Sequence, residues 1–201
     1  TGQLWSRSSI EKLLTNYKLV ICDEAFISIV PGGEDQSIID LTRNHKNLIV
    51  IRSLTKFLGV AGLRIGYAIS NSDRLIKWKE LRDPWPVNTL AINITNIIMK
   101  DSKMHQKRLD KIHKWVEEEG KWLYQNLVTF SNLEPLPSTA NFQLIKSKNS
   151  VLNLLENLKK RGILLRDCRS FINLNENWFR ISLQKRKENI HIINTLKDYI
   201  N

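Results

Sequence analysis

Thiols are scarce in this sequence: Cys22 and Cys168 are the only cysteines in 201 residues, far apart and in no Cys-x-x-Cys or Cys/His spacing. That excludes a disulfide framework and fits a reducing, intracellular setting, with the cytoplasm as the expected compartment. Long apolar runs are missing too. Lys, Asn or Asp interrupts each hydrophobic stretch well short of the ~18 residues a membrane span needs, so no membrane partner is expected. The histidines have no metal-ligand spacing: His105 and His113 share a helical stretch, His45 and His191 are isolated, and no metal is expected. Repeats and low-complexity segments are absent. Acidic residues are few, 20 against 31 Lys and Arg, for a net charge of +11. The basic residues are thinly spread. Their densest groups, Lys100 to Lys114 and Lys185-Arg186-Lys187, fall on expected helices without interleaved aromatics. They read as solvated helix faces, and no nucleic-acid partner is expected.

What is present is the composition of a globular protein, 42% hydrophobic and 25% charged. Residues 18–22 and 47–52 are short apolar runs rich in β-branched side chains, the habit of parallel strands buried on both faces. Pro31-Gly32-Gly33 and a short amphipathic segment, 37–42, lie between them, so the pattern reads as strand, crossover, strand. A third strand is expected over 65–69, ending in a helix-start cluster, Ser70-Asn71-Ser72-Asp73, before a helix over 74–81. Asp83-Pro84-Trp85-Pro86 is the firmest break. Trp85 there is explained equally by lining a site mouth or by anchoring a core. Helical spacing of Leu90, Ile94, Ile97 and Ile98, then Leu109, Ile112, Val116, Leu123 and Leu127, predicts one or two long helices. Beyond Phe130, strands are expected at 141–145, 163–165 and 178–183, with helices over 151–160 and up to 200. The division expected is 1–110 and 111–201, the latter a small α/β domain.

Two strand ends carry chemistry. Asp23-Glu24-Ala25-Phe26 delivers a carboxylate to the C-terminal edge of a sheet, where open α/β sheets bind ligands. Glu24 is left as a turn or capping residue. The second strand ends in Ser53-Leu54-Thr55-Lys56-Phe57, followed by Gly59, Ala61-Gly62 and Leu63-Arg64-Ile65-Gly66-Tyr67. A lysine with a hydroxyl three residues before it and an arginine eight after it, in a glycine-containing loop, could hold a phosphate and leave an amine for carbonyl chemistry.

In this order, Asp-Glu-Ala-Phe, Ser-x-x-Lys and Gly-Leu-Arg-x-Gly-Tyr resemble the class I/II aminotransferases, the fold-type I enzymes that use pyridoxal 5′-phosphate. The resemblance runs the whole chain. It implies the C-terminal part of such an enzyme: part of a large domain with a mostly parallel sheet, then a small α/β domain. Thr1-Gly2 resembles the tail of the family's Asn-Pro-x-x-Pro-Thr-Gly loop, so further sequence is expected upstream. The chain alone is then not expected to work as an enzyme, and the apolar faces of 18–22 and 47–52 are expected to be uncovered. Carried over residue by residue, Lys56 is the lysine that bonds the cofactor, Asp23 the partner of its ring nitrogen, and Ser53 and Arg64 ligands of its phosphate. Phe26 stands where relatives usually place a tyrosine whose phenol would bond the cofactor's ring oxygen.

Within the family, residues 84–91, 166–171 and 178–183 are similar to the threonine-phosphate decarboxylases of cobalamin synthesis, with histidinol-phosphate aminotransferases nearest to those. The resemblance makes Arg180 the binder of a substrate carboxylate and Arg166 that of a substrate phosphate, and it implies a homodimer. A pyridoxal-phosphate-sensing transcription regulator is the reading from another class; it needs an upstream winged helix, and this chain contains none. Cys168 is expected to pack beside Arg166 without an activated thiolate.

Overall fold

The computed structural model describes residues 1–200, which divide into two compact units: Trp5–His113, and Thr1–Leu4 with Lys114–Asn201. The first unit opens with helix α1, Arg7–Asn16, where the Ser6 hydroxyl accepts from the Ser9 amide to satisfy a free N-terminal donor. Strand β1, Val20–Asp23, follows, then three short 3-10 turns, and β2, Leu48–Ser53. Next come the five-residue helix α2, Leu54–Leu58, strand β3, Gly66–Ser70, and helices α3, Ser72–Leu81, and α4, Thr89–Lys100. Asn71 and Asn88 cap α3 and α4. Helix α5, Ser102–Leu127, is long enough to run through the division between the units.

β1 and β2 are parallel, Asp23 opposite Ile51, but β2 and β3 are antiparallel, Ser53 opposite Gly66. The three-stranded sheet is therefore mixed, not mostly parallel. A parallel return needs a crossover of about a dozen residues or more that carries the chain back along the strand. Here α2 and a 3-10 turn at Ala61–Leu63 consume residues 54–65 at one end of β2, so the chain can only reverse. Nor are the strands buried on both faces. Leu14, Val20, Ile38, Leu48 and Val50 form a core on one side, each fully buried aliphatic contributing roughly 1.5–3 kcal/mol. On the other side Ile49 is buried, but Ile21 is 58% and Ile51 40% exposed, so the apolar face expected to be uncovered is open only in part. Trp85, 89% exposed, anchors no core.

The second unit is a four-stranded antiparallel sheet in the order β4-β5-β7-β6, from β4, Leu133–Pro135, β5, Phe142–Ser147, β6, Arg166–Asp167, and β7, Trp178–Ser182. Helices α6, Leu152–Lys160, and α7, Arg186–Ile200, complete it. Strand β6 is shorter and later than the 163–165 strand expected. Ile163 is buried where that strand was read, but Leu164 is 79% exposed, so the apolar run there does not mark a strand. Buried Glu119 on α5 takes hydrogen bonds from Arg186 and Asn189 of α7, fixing the two helices together.

Candidate active site

Strand alternation sorts the residues at the ends of β1 and β2. Asp23 pairs with Ile51, and Ser53 lies two residues on, so all three share the open face of the sheet. Asp23 Oδ1 accepts from the Ala25 amide at 2.9 Å, an Asx turn that orients the carboxylate. Ser53 is extended and caps α2: its Oγ accepts from the Thr55 amide and lies 2.7 Å from Thr55 Oγ1. Helix α2 is pinned by Phe57 and Leu58, buried with Ile29 in a second core that Leu109 and Ile112 pack against. It ends at Gly59, whose left-handed φ of 68° a side chain would resist. On the outer face of this short, fixed helix stands Lys56, exposed, its Nζ 5.1 Å from the centre of the Phe26 ring.

Arg64 closes the same connection and also adopts a left-handed backbone, φ 49° and ψ 52°. For a non-glycine residue that conformation costs about 1–2 kcal/mol, and such strain concentrates at functional positions. Its guanidinium donates to the Ala61 carbonyl at 3.1 Å. Gly66 follows where a Cβ would lie 2.6 Å from the Arg52 carbonyl oxygen, so the close approach of β3 to β2 depends on glycine.

Behind Asp23 and Ser53 lies a network that the sequence reading missed. Glu24 is no simple capping residue: it is buried, and its carboxylate receives Arg52 Nε at 2.7 Å, the Ser37 hydroxyl at 2.9 Å and the Ile38 amide at 3.0 Å. Arg52 also gives a two-pronged pair to Glu34, at 2.7 and 2.9 Å. Burial works against the Arg52 charge, but Glu34 and Glu24 outweigh it and hold the guanidinium above its usual value. One signal was available: an arginine inside an apolar strand run needs a buried acid as partner. Nearby, Cys22 is kept protonated, its thiol pushed up to about 11 by burial and by Glu24 and Asp23.

In the second unit Arg166 and Arg180 stand directly opposite each other across β6 and β7. Arg180 lies over the Phe142 ring at 4.5 Å, and its buried Nε has no hydrogen-bond partner among the described residues. Arg166 lies 5.5 Å from the Phe171 ring centre and donates to Ser170 Oγ at 3.0 Å. Cys168 is buried beside them, its thiol donating to the Arg166 carbonyl and raised by burial more than the arginines lower it. Two cations side by side with an unmet donor suit an anion.

The fold is that of the fold-type I pyridoxal-phosphate enzymes: over 98% of this chain and 60% of the other, it superposes on the histidinol-phosphate aminotransferase of Clostridium acetobutylicum with a TM-score of 0.88 and 26% identity. Residues 1–196 match the model of the family described as aminotransferase class I and II, and the chain belongs to that family. Its relatives include the threonine-phosphate decarboxylase of Salmonella typhimurium, 28% identical over 100% of this chain and 55% of that protein. The histidinol-phosphate aminotransferase 2 of Archaeoglobus fulgidus is 30% identical over 98% of this chain and 55% of its own length. The chain thus spans about half the length of these curated relatives. The donor set of the first unit suits the family's cofactor, since an exposed amine over an aromatic ring, a strand-end carboxylate, a hydroxyl pair and a strained arginine match an aldehyde, a ring nitrogen and a phosphate.

Proposed function

We propose that this chain carries the lysine-bearing part of a pyridoxal-phosphate enzyme that removes the carboxylate of L-threonine O-3-phosphate as carbon dioxide, leaving 1-amino-2-propanol O-2-phosphate, a step of cobalamin synthesis. The cofactor, when bound, supplies a protonated ring that accepts the electron pair left on Cα. Lys56 would hold the cofactor through its aldehyde, and its amine, free when substrate is bound, would be the group that moves a proton at Cα. Asp23 would hold the ring nitrogen in its protonated form, an opposite charge favouring the charged state. Ser53 and Arg64 would hold the cofactor phosphate, and Phe26 brings no hydroxyl where a tyrosine would bond the cofactor's ring oxygen. Arg180 takes the substrate carboxylate and Arg166 its phosphate.

The observation that carries this reading is the Arg166–Arg180 pair, because it presents two cations to a substrate with two anionic ends. A histidinol-phosphate aminotransferase is the second reading, favoured by the similarity to the Archaeoglobus enzyme. Incubating the full-length protein with threonine phosphate and following carbon dioxide separates the two. The decarboxylase releases it without an added oxo acid, whereas an aminotransferase releases none and turns over histidinol phosphate only when 2-oxoglutarate is supplied.

A further inference from the structure

We infer that Glu24 and Arg52 are positioning residues for the cofactor site, a buried charged clamp that sets Asp23 and Ser53 relative to each other from the opposite face of the sheet.

The register makes the case. Successive residues of a strand point to opposite faces, so Asp23 and Ser53 on the open face have Glu24 and Arg52 as their immediate neighbours on the packed face. The Glu24 amide continues the ladder, donating to the Ile51 carbonyl at 2.8 Å. Arg52 Nε meets Glu24 Oε2 at 2.7 Å with the two side chains 6% and 3% exposed. Each strand end thus has one residue in the clamp and the next in the candidate site. The linkage extends into the crossover: Ser37 accepts from Arg52 and donates to Glu24, and Glu34 takes the other edge of the guanidinium.

A buried ion pair is a poor device for stability alone, since apolar side chains of similar volume often serve as well or better. What it adds is direction. Six directed bonds converge on the Glu24 carboxylate and the Arg52 guanidinium: Arg52 to Glu24, Arg52 to both oxygens of Glu34, Arg52 to Ser37, Ser37 to Glu24 and Ile38 to Glu24. They leave little freedom for one strand end to slide or twist against the other. On the exposed side of the sheet Ile49 is buried, but Ile51, directly opposite Asp23, is 40% exposed, so packing there holds the strand ends less firmly. The distance between the Asp23 carboxylate and the Ser53-to-Lys56 turn is therefore governed from behind.

This inference rests on the reading of Asp23, Ser53 and Lys56 as the cofactor site, and the test separates the two. Full-length protein is titrated with pyridoxal phosphate, reading the visible band that forms when the cofactor bonds a lysine, its affinity and the pH at which it changes colour. Unsubstituted protein, Glu24→Gln, Arg52→Lys and the core variant Leu14→Ala are compared, with thermal unfolding of each in the absence of cofactor. A positioning role predicts a cofactor affinity lowered about tenfold or more in Glu24→Gln and Arg52→Lys, with the colour-change pH displaced. Leu14→Ala, from the same unit's core, loses stability but keeps that pH. If the unsubstituted protein forms no band, the site assignment fails. If it does, and the clamp variants keep its affinity and colour-change pH or merely follow Leu14→Ala at equal stability, the inference is overturned. Arg52→Lys decides the case if Glu24→Gln does not fold, since it retains the charge and loses only the fork.

Discussion

Arg166 and Arg180 face each other across adjacent antiparallel strands, two like charges at one register position. Like charges directly opposite on a sheet are unfavourable, and each guanidinium is held instead by an aromatic ring, Phe171 and Phe142. The arrangement makes structural sense as a receptor for negative charge. Replacing one member should therefore spare stability while removing function. Arg166→Ala is expected to leave the unfolding temperature unchanged or slightly raised and to lower kcat/KM for threonine phosphate about 10- to 100-fold, the equivalent of a charge-assisted pair worth roughly 1.5–3 kcal/mol. Binding of unphosphorylated threonine should change little. Arg180→Ala should weaken both ligands. Equal losses for both ligands in Arg166→Ala would remove that residue from a phosphate site.

Arg64 offers a test in which stability and function move in opposite directions. Glycine accepts a left-handed backbone without the ~1 kcal/mol or more that other residues incur. Arg64→Gly should thus raise the unfolding temperature while weakening pyridoxal phosphate, and Arg64→Ala should weaken it equally without the gain in stability. Titration and thermal unfolding of the two variants check this. A glycine variant that binds the cofactor as tightly as the parent would show that the strain has no role at the cofactor phosphate.

Much of the fold, and the candidate site as a proposal, was legible because the informative residues are local. Asp23, Ser53, Lys56 and Arg64 sit at strand ends or in the turn between them, within segments marked by glycine and hydroxyl residues. The proline break at 84–86 and the helix-start cluster that holds the cap Asn71 bound helix α3. What escaped depends on pairing partners that a linear reading does not contain. The opposition of Arg166 to Arg180 and of the Glu24 side to the Arg52 side follows from register, and register is set by distant strands. The antiparallel turn of β3 arises because its connection folds up at one end of β2. Strands β4 and β6, of three and two residues, are too short to show alternation. Helix α1 has only Leu14 buried and drew no reading from its sequence.

Glu119 contributes to the acid limb of the second unit's stability. Burial opposes its charge, but the hydrogen bonds from Arg186 and Asn189 win and hold its carboxyl below the usual 4.5. A depressed folded value means that the stabilisation is present above that ordinary value and is lost as pH falls through the folded one. Unfolding temperature measured from about pH 6 to pH 3 should fall for the parent. In Glu119→Gln it should start lower and fall less. Parallel curves would place the acid sensitivity elsewhere.

The Cys22 thiol, raised to about 11 from an ordinary 9.0, titrates late. Because its folded value is raised, the stabilisation from keeping it protonated is complete below 9.0 and disappears as pH rises through about 11. Alkylation by iodoacetamide near pH 8 should be slow for the folded protein and fast after denaturation, since the thiolate is the reactive form. Rapid labelling of Cys22 in the native protein at that pH would contradict the buried, acid-flanked environment described for it.

The central claim is that Lys56 is the cofactor lysine, and one measurement addresses it without reference to the substrate. Full-length protein is loaded with one equivalent of pyridoxal phosphate, reduced with borohydride, digested and mapped. The account predicts a single phosphopyridoxyl adduct on Lys56, with loss of the visible band on reduction and no stoichiometric adduct in a Lys56→Ala variant. A stoichiometric adduct on any other lysine, in the parent protein, would contradict it.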